Sequence, residues 1–379
     1  MKRIASLDML RGYALVCIML DHMPISVMRQ VTLTNFVVFD AAELFVLLSG
    51  FLVGLVWVKV EAREGLEAAQ KRFWRRSYQV WRALILGAIA LALLSKLLFM
   101  LDLNHTAVWF EYSNMIVDNP LGYIATVALM WMQPNLLDVL ALYVLLIATA
   151  PLTVPVMLRW PVAFFIASIG LWMVAEPLNA LIPNQRPGPG LLFNPFGWQL
   201  LFFCGVGMGA FRKEIMARLK PWSFWVSALA WGVTIFSMAI VLSWKVGAIG
   251  KPLHDLLYIL HGPIDKWSLD GMRLLGVLGA SWLVAVPLAR PFDWMANTVL
   301  GRALAEIGRG GLWAFIACVL LSIFGDALDM TVPKDASYSM PLRLAIDIWV
   351  IATLWAMSAS WLRREELKGW WERVQASQR

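Results

Sequence analysis

SLDMLRGYALVCIMLDHM at residues 6–23 and FDAAELFVLLSGFLVG at 39–54 decide how the rest of the chain is read. Both are apolar enough to be membrane-spanning helices, yet they carry Asp8, Arg11, Asp21, His22, Asp40 and Glu43. A charged group at membrane depth costs about 2.5–3.5 kcal/mol on insertion scales, so these groups must face one another or a cavity. Arg11 and His22 are eleven positions apart. That spacing puts them on one helical face, separated by roughly 16 Å along the axis. Asp8, three residues before Arg11, is placed to pair with it. On the second stretch Asp40, Glu43, Leu47, Gly50 and Gly54 share a stripe, whose Gly-xxx-Gly end lets another helix approach closely.

Of the 379 residues, 60% are hydrophobic. Soluble domains sit near 45–50% apolar, so the fold class is an all-α, polytopic membrane helix bundle, expected as one integral-membrane domain over 1–379. Ten spans are expected, near 8–28, 37–58, 80–101, 135–158, 160–176, 191–211, 222–245, 272–290, 302–325 and 342–362. The apolar segment 120–133, bounded by Pro120 and Pro134, is too short to cross and reads as re-entrant or interfacial. No cleavable signal peptide is expected before the first span. The three cysteines, Cys17, Cys204 and Cys318, all fall in apolar runs, and the four histidines are too scattered for a zinc motif, so no metal is expected.

The net charge of +7 is an orientation signal rather than a nucleic-acid signal. Lys59, Arg63, Lys71, Arg72, Arg75, Arg76 and Arg82 cluster between the second and third spans, whereas 102–134 contains no Lys or Arg. Arg159, then Arg212, Lys213, Arg218 and Lys220, then Arg290 and Arg302, and finally Arg363 and Arg364 fall on the side of the first cluster. The positive-inside rule then places both termini in the cytoplasm. The basic stretch 59–82 reads as a partly amphipathic helix on the inner leaflet, touching membrane lipid.

His22 reads as a general base, or as a histidine fastening two helices. Asp21 and Glu43 would orient or electrostatically support it, or are polar glue; Asp40 reads as a helix cap. The other histidines, His105, His254 and His261, fall in expected outward connections. Near the inner side Arg302, Glu306 and Arg309 lie on one face of a helix. With Arg11 they suit a phosphate-bearing ligand, because guanidinium grips phosphate in a fork. Snorkelling to the headgroups is the other reading of Arg302. Asp138, Asn194, Trp198 and Gln199 are candidates to bind a hydroxylated substrate near the outer side, or to cap, bridge and pack helices.

RGYALVCIMLDH (11–22) has the Arg-x10-His spacing of the membrane acyltransferase-3 superfamily, and ELFVLLSGFLVG (43–54) resembles that superfamily's second-helix signature. SLDMLRGYALVCIMLDHMP, DAAELFVLLSGFLVG, QPNLLDVLALY and FNPFGWQLLFFCG together resemble the OpgC family. In GRALAEIGRGGLWAF (301–315) Arg302 fits the family's late Gly-Arg/Lys run, but the serine position is not matched clearly. The resemblance implies an enzyme of the bacterial cytoplasmic (inner) membrane. Such an enzyme takes an acyl group, typically succinyl, from cytoplasmic acyl-coenzyme A to a hydroxyl of a periplasmic glucan. His22 would be the base, with Arg11, Arg302 and Arg309 on the donor. The competing reading is a proton-coupled transporter with Asp21, His22 and Glu43 as its relay; acetyl transfer to another surface polysaccharide is a third. The oligomeric state is not specified by the sequence.

Overall fold

A computed structural model describes residues 5–106, 109–183, 190–262, 264–333 and 336–377, and among them there is helix and no strand. In chain order the helices are α1 (Ala5–Asp21), α2 (Ala41–Glu64), α3 (Leu66–Met100), α4 (Trp109–Asp118), α5 (Pro120–Ala128), α6 (Asp138–Arg159) and α7 (Pro161–Met173). There follow α8 (Ala175–Asn179), α9 (Pro195–Ala210), α10 (Arg212–Leu219), α11 (Ser223–Lys245), α12 (Gly247–His261) and α13 (Gly271–Ala285). The last four are α14 (Ala289–Ala296), α15 (Val299–Arg309), α16 (Gly311–Thr331) and α17 (Ser339–Ser377).

Every expected apolar segment carries helix. Among the described residues six helical stretches are long and apolar enough to cross a membrane, and a seventh if α13 and α14, bent by 77°, count as one. The expected interfacial segment is α5, a nine-residue helix with Pro120 in its first turn. Four expectations change. The first helix stops at Asp21 rather than near residue 28, because Pro24 cannot continue it and disfavours helix just before itself. The basic stretch 59–82 is not a separate element: α2 runs to Glu64, the chain turns at Gly65 with φ 88°, and α3 starts at Leu66. Residues 247–261, expected in a connection, form α12.

The fourth change is the ninth span, which starts at Gly311 instead of 302. Gly311 has φ 59°, a left-handed backbone that glycine adopts without cost, and the chain reverses there. On one side of the turn Glu306 meets Trp355 and Gly310 meets Ser358, rising together along α15 and α17. On the other side Trp313 stacks on Trp361 and Phe324 lies against Trp349, running in opposite directions along α16 and α17.

By contact density the chain divides into two units, Met1–Thr32 with Leu93–Phe110 and Arg290–Arg379, and Leu33–Ala92 with Glu111–Ala289. In the first, α1 and α15 cross at glycines. A Cβ on Gly12 would strike the Leu304 carbonyl, and one on Gly308 the Asp8 carbonyl. Farther along α1, the Cys318 thiol reaches the Leu15 carbonyl and Met23 packs on Gly325. In the second, α2 and α9 lie in backbone contact. Gly50 and Gly54 face the Phe202 and Val206 carbonyls, while Gly205 and Gly209 face those of Leu47 and Phe51. Lipid gives helices no hydrophobic reason to associate, so close packing over small residues and hydrogen bonds supply the attraction. One such bond repairs α6: Pro155 has no N–H for the Pro151 carbonyl, and Gln70 of α3 donates to that oxygen at 3.0 Å.

Candidate functional site

In the first unit, Arg11 lies two turns into α1 and His22 follows its C-terminal end. Arg11 is half-buried beside the α1–α15 crossing, 3.9 Å from the Asp8 carboxylate. Arg309, on the last turn of α15, lies 3.3 Å from Glu366. Its position one residue beyond Gly308, whose backbone abuts Asp8 and Gly12, brings it to the crossing that Arg11 flanks. Arg302 is exposed near the other end of α15. Glu306 accepts from the Trp355 indole at 2.7 Å.

His22 sits just past the end of α1 and is exposed rather than embedded in a span. Its Nδ1 lies 2.6 Å from the Ile18 carbonyl, one of the carbonyls a helix end leaves without an intrahelical partner. A carbonyl only accepts, so Nδ1 carries the hydrogen, and in the neutral ring Nε2 holds the lone pair. That is the tautomer a base requires. Asp21 accepts from the Thr32 hydroxyl at 2.6 Å, tying the chain after His22 back to the helix end.

Glu43 belongs to the second unit, in a cluster of charges at the start of α2. Asp40 caps the helix: its side chain accepts from Ala42 N while Glu43 reaches back to Asp40 N, a reciprocal capping box. The cap reading of Asp40 therefore holds. Glu43 is fully buried and also accepts from Arg273 Nε. The Arg273 guanidinium reaches Asp40 at 3.2 Å and the Val38 carbonyl at 2.7 Å, and Lys266 Nζ lies 2.6 Å from Asp40. Asp40 thus has two cationic partners, Lys266 and Arg273. Arg273 and Lys266 were missed by sequence reasoning, although an arginine two residues into an apolar span is the signal that a buried acid awaits it.

The remaining candidates are all in the second unit and have partners within the fold. Asp138 is buried in the first turn of α6. Asn194 caps α9, accepting from Phe196 N and Gly197 N, and its amide donates to Ser268 at 3.3 Å. Trp198 has no exposed surface; its indole donates to the Trp267 carbonyl and its ring meets Phe193 edge-on, so no face is open to a sugar in this conformation. Gln199 spends both amide hydrogens, on the Ser168 and Phe196 carbonyls, and accepts from the Ser168 hydroxyl at 2.6 Å. Both amides are thus committed within the fold, as a cap and a bridge between helices.

Three acids that sequence reasoning left out lie in the first unit: Asp326 and Asp329 on α16 and Asp347 on α17, each at most 1% exposed. No group of three or more His, Cys, Asp or Glu able to hold a metal is found among the described residues.

The fold and these buried charges define a multi-pass membrane protein organised around polar groups within its helices. The family model described as OpgC protein matches residues 3–366, and the chain belongs to that family. Membership implies a membrane protein of glucan modification and an acyltransferase-type enzyme. Comparison with curated proteins gives no match.

Proposed function

We propose that the chain is an O-acyltransferase of the bacterial cytoplasmic membrane that moves a succinyl group from cytoplasmic acyl-coenzyme A to a hydroxyl of a periplasmic glucan. The observation that carries this is the family match over residues 3–366, read with α1, which carries Arg11 beside its crossing with α15 and is followed at its C-terminal end by His22. Arg11 and Arg309 would take the coenzyme's phosphates. The Arg309–Glu366 pair is no obstacle, since Glu366 is 70% exposed and exposed pairs contribute little. The thin pantetheine arm would cover the roughly 16 Å to His22. There Nε2 removes the proton from the acceptor hydroxyl, and the oxygen attacks the thioester carbonyl. The tetrahedral intermediate collapses, the C–S bond breaks, and the thiolate takes the proton held by His22. Ester and free thiol result, with no net proton.

The purified protein with succinyl-coenzyme A is expected to release thiol when unmodified glucan is added, and not otherwise. A transporter would release none. Arg11→Met or Arg309→Met is expected to weaken donor binding about tenfold or more, because a hydrogen bond to a charged group contributes on the order of 1.5–3 kcal/mol. Unchanged donor affinity in both variants defeats the donor-site assignment.

The orientation is tested separately. Lys71 and Asp118 are both exposed, on α3 and α4. With the charge bias as the guide, a single cysteine at 118 should react with an impermeant maleimide in intact cells, and one at 71 only after the membrane is opened. Labelling of both from outside sinks the topology.

A further inference from the structure

The first unit is polar along its length. Arg309, Arg363 and Arg364 mark one end of the α16–α17 pair; Asp326, Asp329 and Asp347 gather toward the other. From Gly311 to Asp329 is eighteen residues, roughly 27 Å of helix.

Asp326 accepts from the Thr106 N–H and hydroxyl with one oxygen, both at 2.6 Å. Asp347 accepts from Met28 N at 2.8 Å, with Ser26 and Val27 also reaching it. Each keeps a second oxygen that is buried and has no partner in the described residues. Asp329, with 0% exposure, has neither oxygen hydrogen-bonded. The charges acting on it are those of Asp347, Arg343 and Asp326. Arg343 donates to the Val332 carbonyl and leaves its Nε unpaired. Asp326 and Asp329 lie three residues apart on α16, and Asp347 is two residues from Trp349, which meets Phe324 across the α16–α17 pair; together they carry four buried oxygens without a donor.

Buried polar groups are almost always hydrogen-bonded, and leaving them bare is costly. An occupant must bring donors. An anion such as a coenzyme phosphate would meet three acids and a single arginine, and no metal-holding group of three or more His, Cys, Asp or Glu is found among the described residues. Hydroxyl groups of a neutral sugar fit: they donate, carry no charge and come in adjacent pairs. The location fits too. Met23, the residue after His22, packs on Gly325, the residue before Asp326, and Asp347 grips the chain six residues beyond His22.

We propose that Asp326, Asp329 and Asp347 form the subsite that binds the hydroxyls of the glucan acceptor next to His22, with Asp329 as its main contact. With the three acids at most 1% exposed, the sugar reaches them only when residues 26–28, which Asp347 holds, move aside. This rests on the reading of the chain as an acyltransferase to a hydroxyl.

The test uses the full chain in detergent, with glucan from cells lacking this protein as probe. Asp329→Asn is expected to raise the acceptor KM about tenfold or more, leave the succinyl-coenzyme A KM unchanged, and weaken glucan binding by the same factor in a titration without donor; Asp329→Glu should recover part. On wild-type protein, glucan but not coenzyme A should protect Asp329 from a hydrophobic carbodiimide, a readout that survives any folding defect of the variants. Unchanged acceptor KM and binding in Asp329→Asn, or no protection, overturns the subsite. A shift in the pH profile alone, with acceptor KM unmoved, also overturns it and leaves the acids as a proton-sharing pair. Absence of thiol release by wild-type protein defeats the enzymatic reading instead, and the donor-free titration still decides whether glucan binds at Asp329.

Discussion

Arg273→Leu is expected to destabilise the protein by about 3–5 kcal/mol, the cost of removing one partner from a buried ion pair. The guanidinium serves Glu43, Asp40 and the Val38 carbonyl at once. Without it a fully buried Glu43 keeps only the Asp40 N–H, while Lys266 is committed to Asp40. The measurement is the midpoint of thermal unfolding in detergent together with the elution profile. Arg273→Lys should recover little, because an ammonium lacks the planar fork that spans three acceptors. Combining Arg273→Leu with Glu43→Gln should recover more, since the second change removes the stranded charge. If Arg273→Leu melts with the wild type, the cluster is not what fixes the start of α2.

That cluster also shows how far the sequence could be read. Composition and apolar runs announce the helices, because a bilayer leaves helix as the only open-chain solution for the backbone. Gly50 and Gly54 announce a close helix partner, and α9 is that partner. What the sequence conceals is where helices end and which polar groups meet. Pro24 cuts α1 short and Gly311 reverses the chain, and each moves a candidate residue: His22 to a helix end, Arg309 to the crossing with α1. Glu43 pairs with Arg273, 230 positions later, and no local spacing encodes that pairing. Asp326 and Asp329 fell just beyond the expected end of the ninth span, so their burial could not be inferred until α16 was found to extend to Thr331. The amides of Asn194 and Gln199 looked available only because capping and bridging leave no mark in composition.

His22→Ala should abolish acyl transfer while leaving donor binding intact, because Arg11 lies eleven residues earlier, within α1. The expected loss is on the order of 10²–10⁴-fold in rate, the usual contribution of a positioned base. Alanine alone does not separate chemistry from scaffolding, since it also removes the Nδ1–H bond to the Ile18 carbonyl. His22→Gln does. Glutamine can donate to that carbonyl from its amide but has no basic nitrogen. If His22 only fastens the end of α1, the glutamine variant should transfer nearly as well as the wild type. If Nε2 is the base, it should be as inactive as alanine while still binding acyl-coenzyme A. The readout is mass spectrometry of periplasmic glucans from cells making each variant, in which every succinyl group adds its mass. Glucans decorated at the wild-type level in His22→Gln cells would show that α1 ends in a clasp and that the base lies elsewhere. Loss of decoration with retained donor binding places the proton transfer at the one histidine whose ring is already anchored through Nδ1 to the end of the helix that carries Arg11.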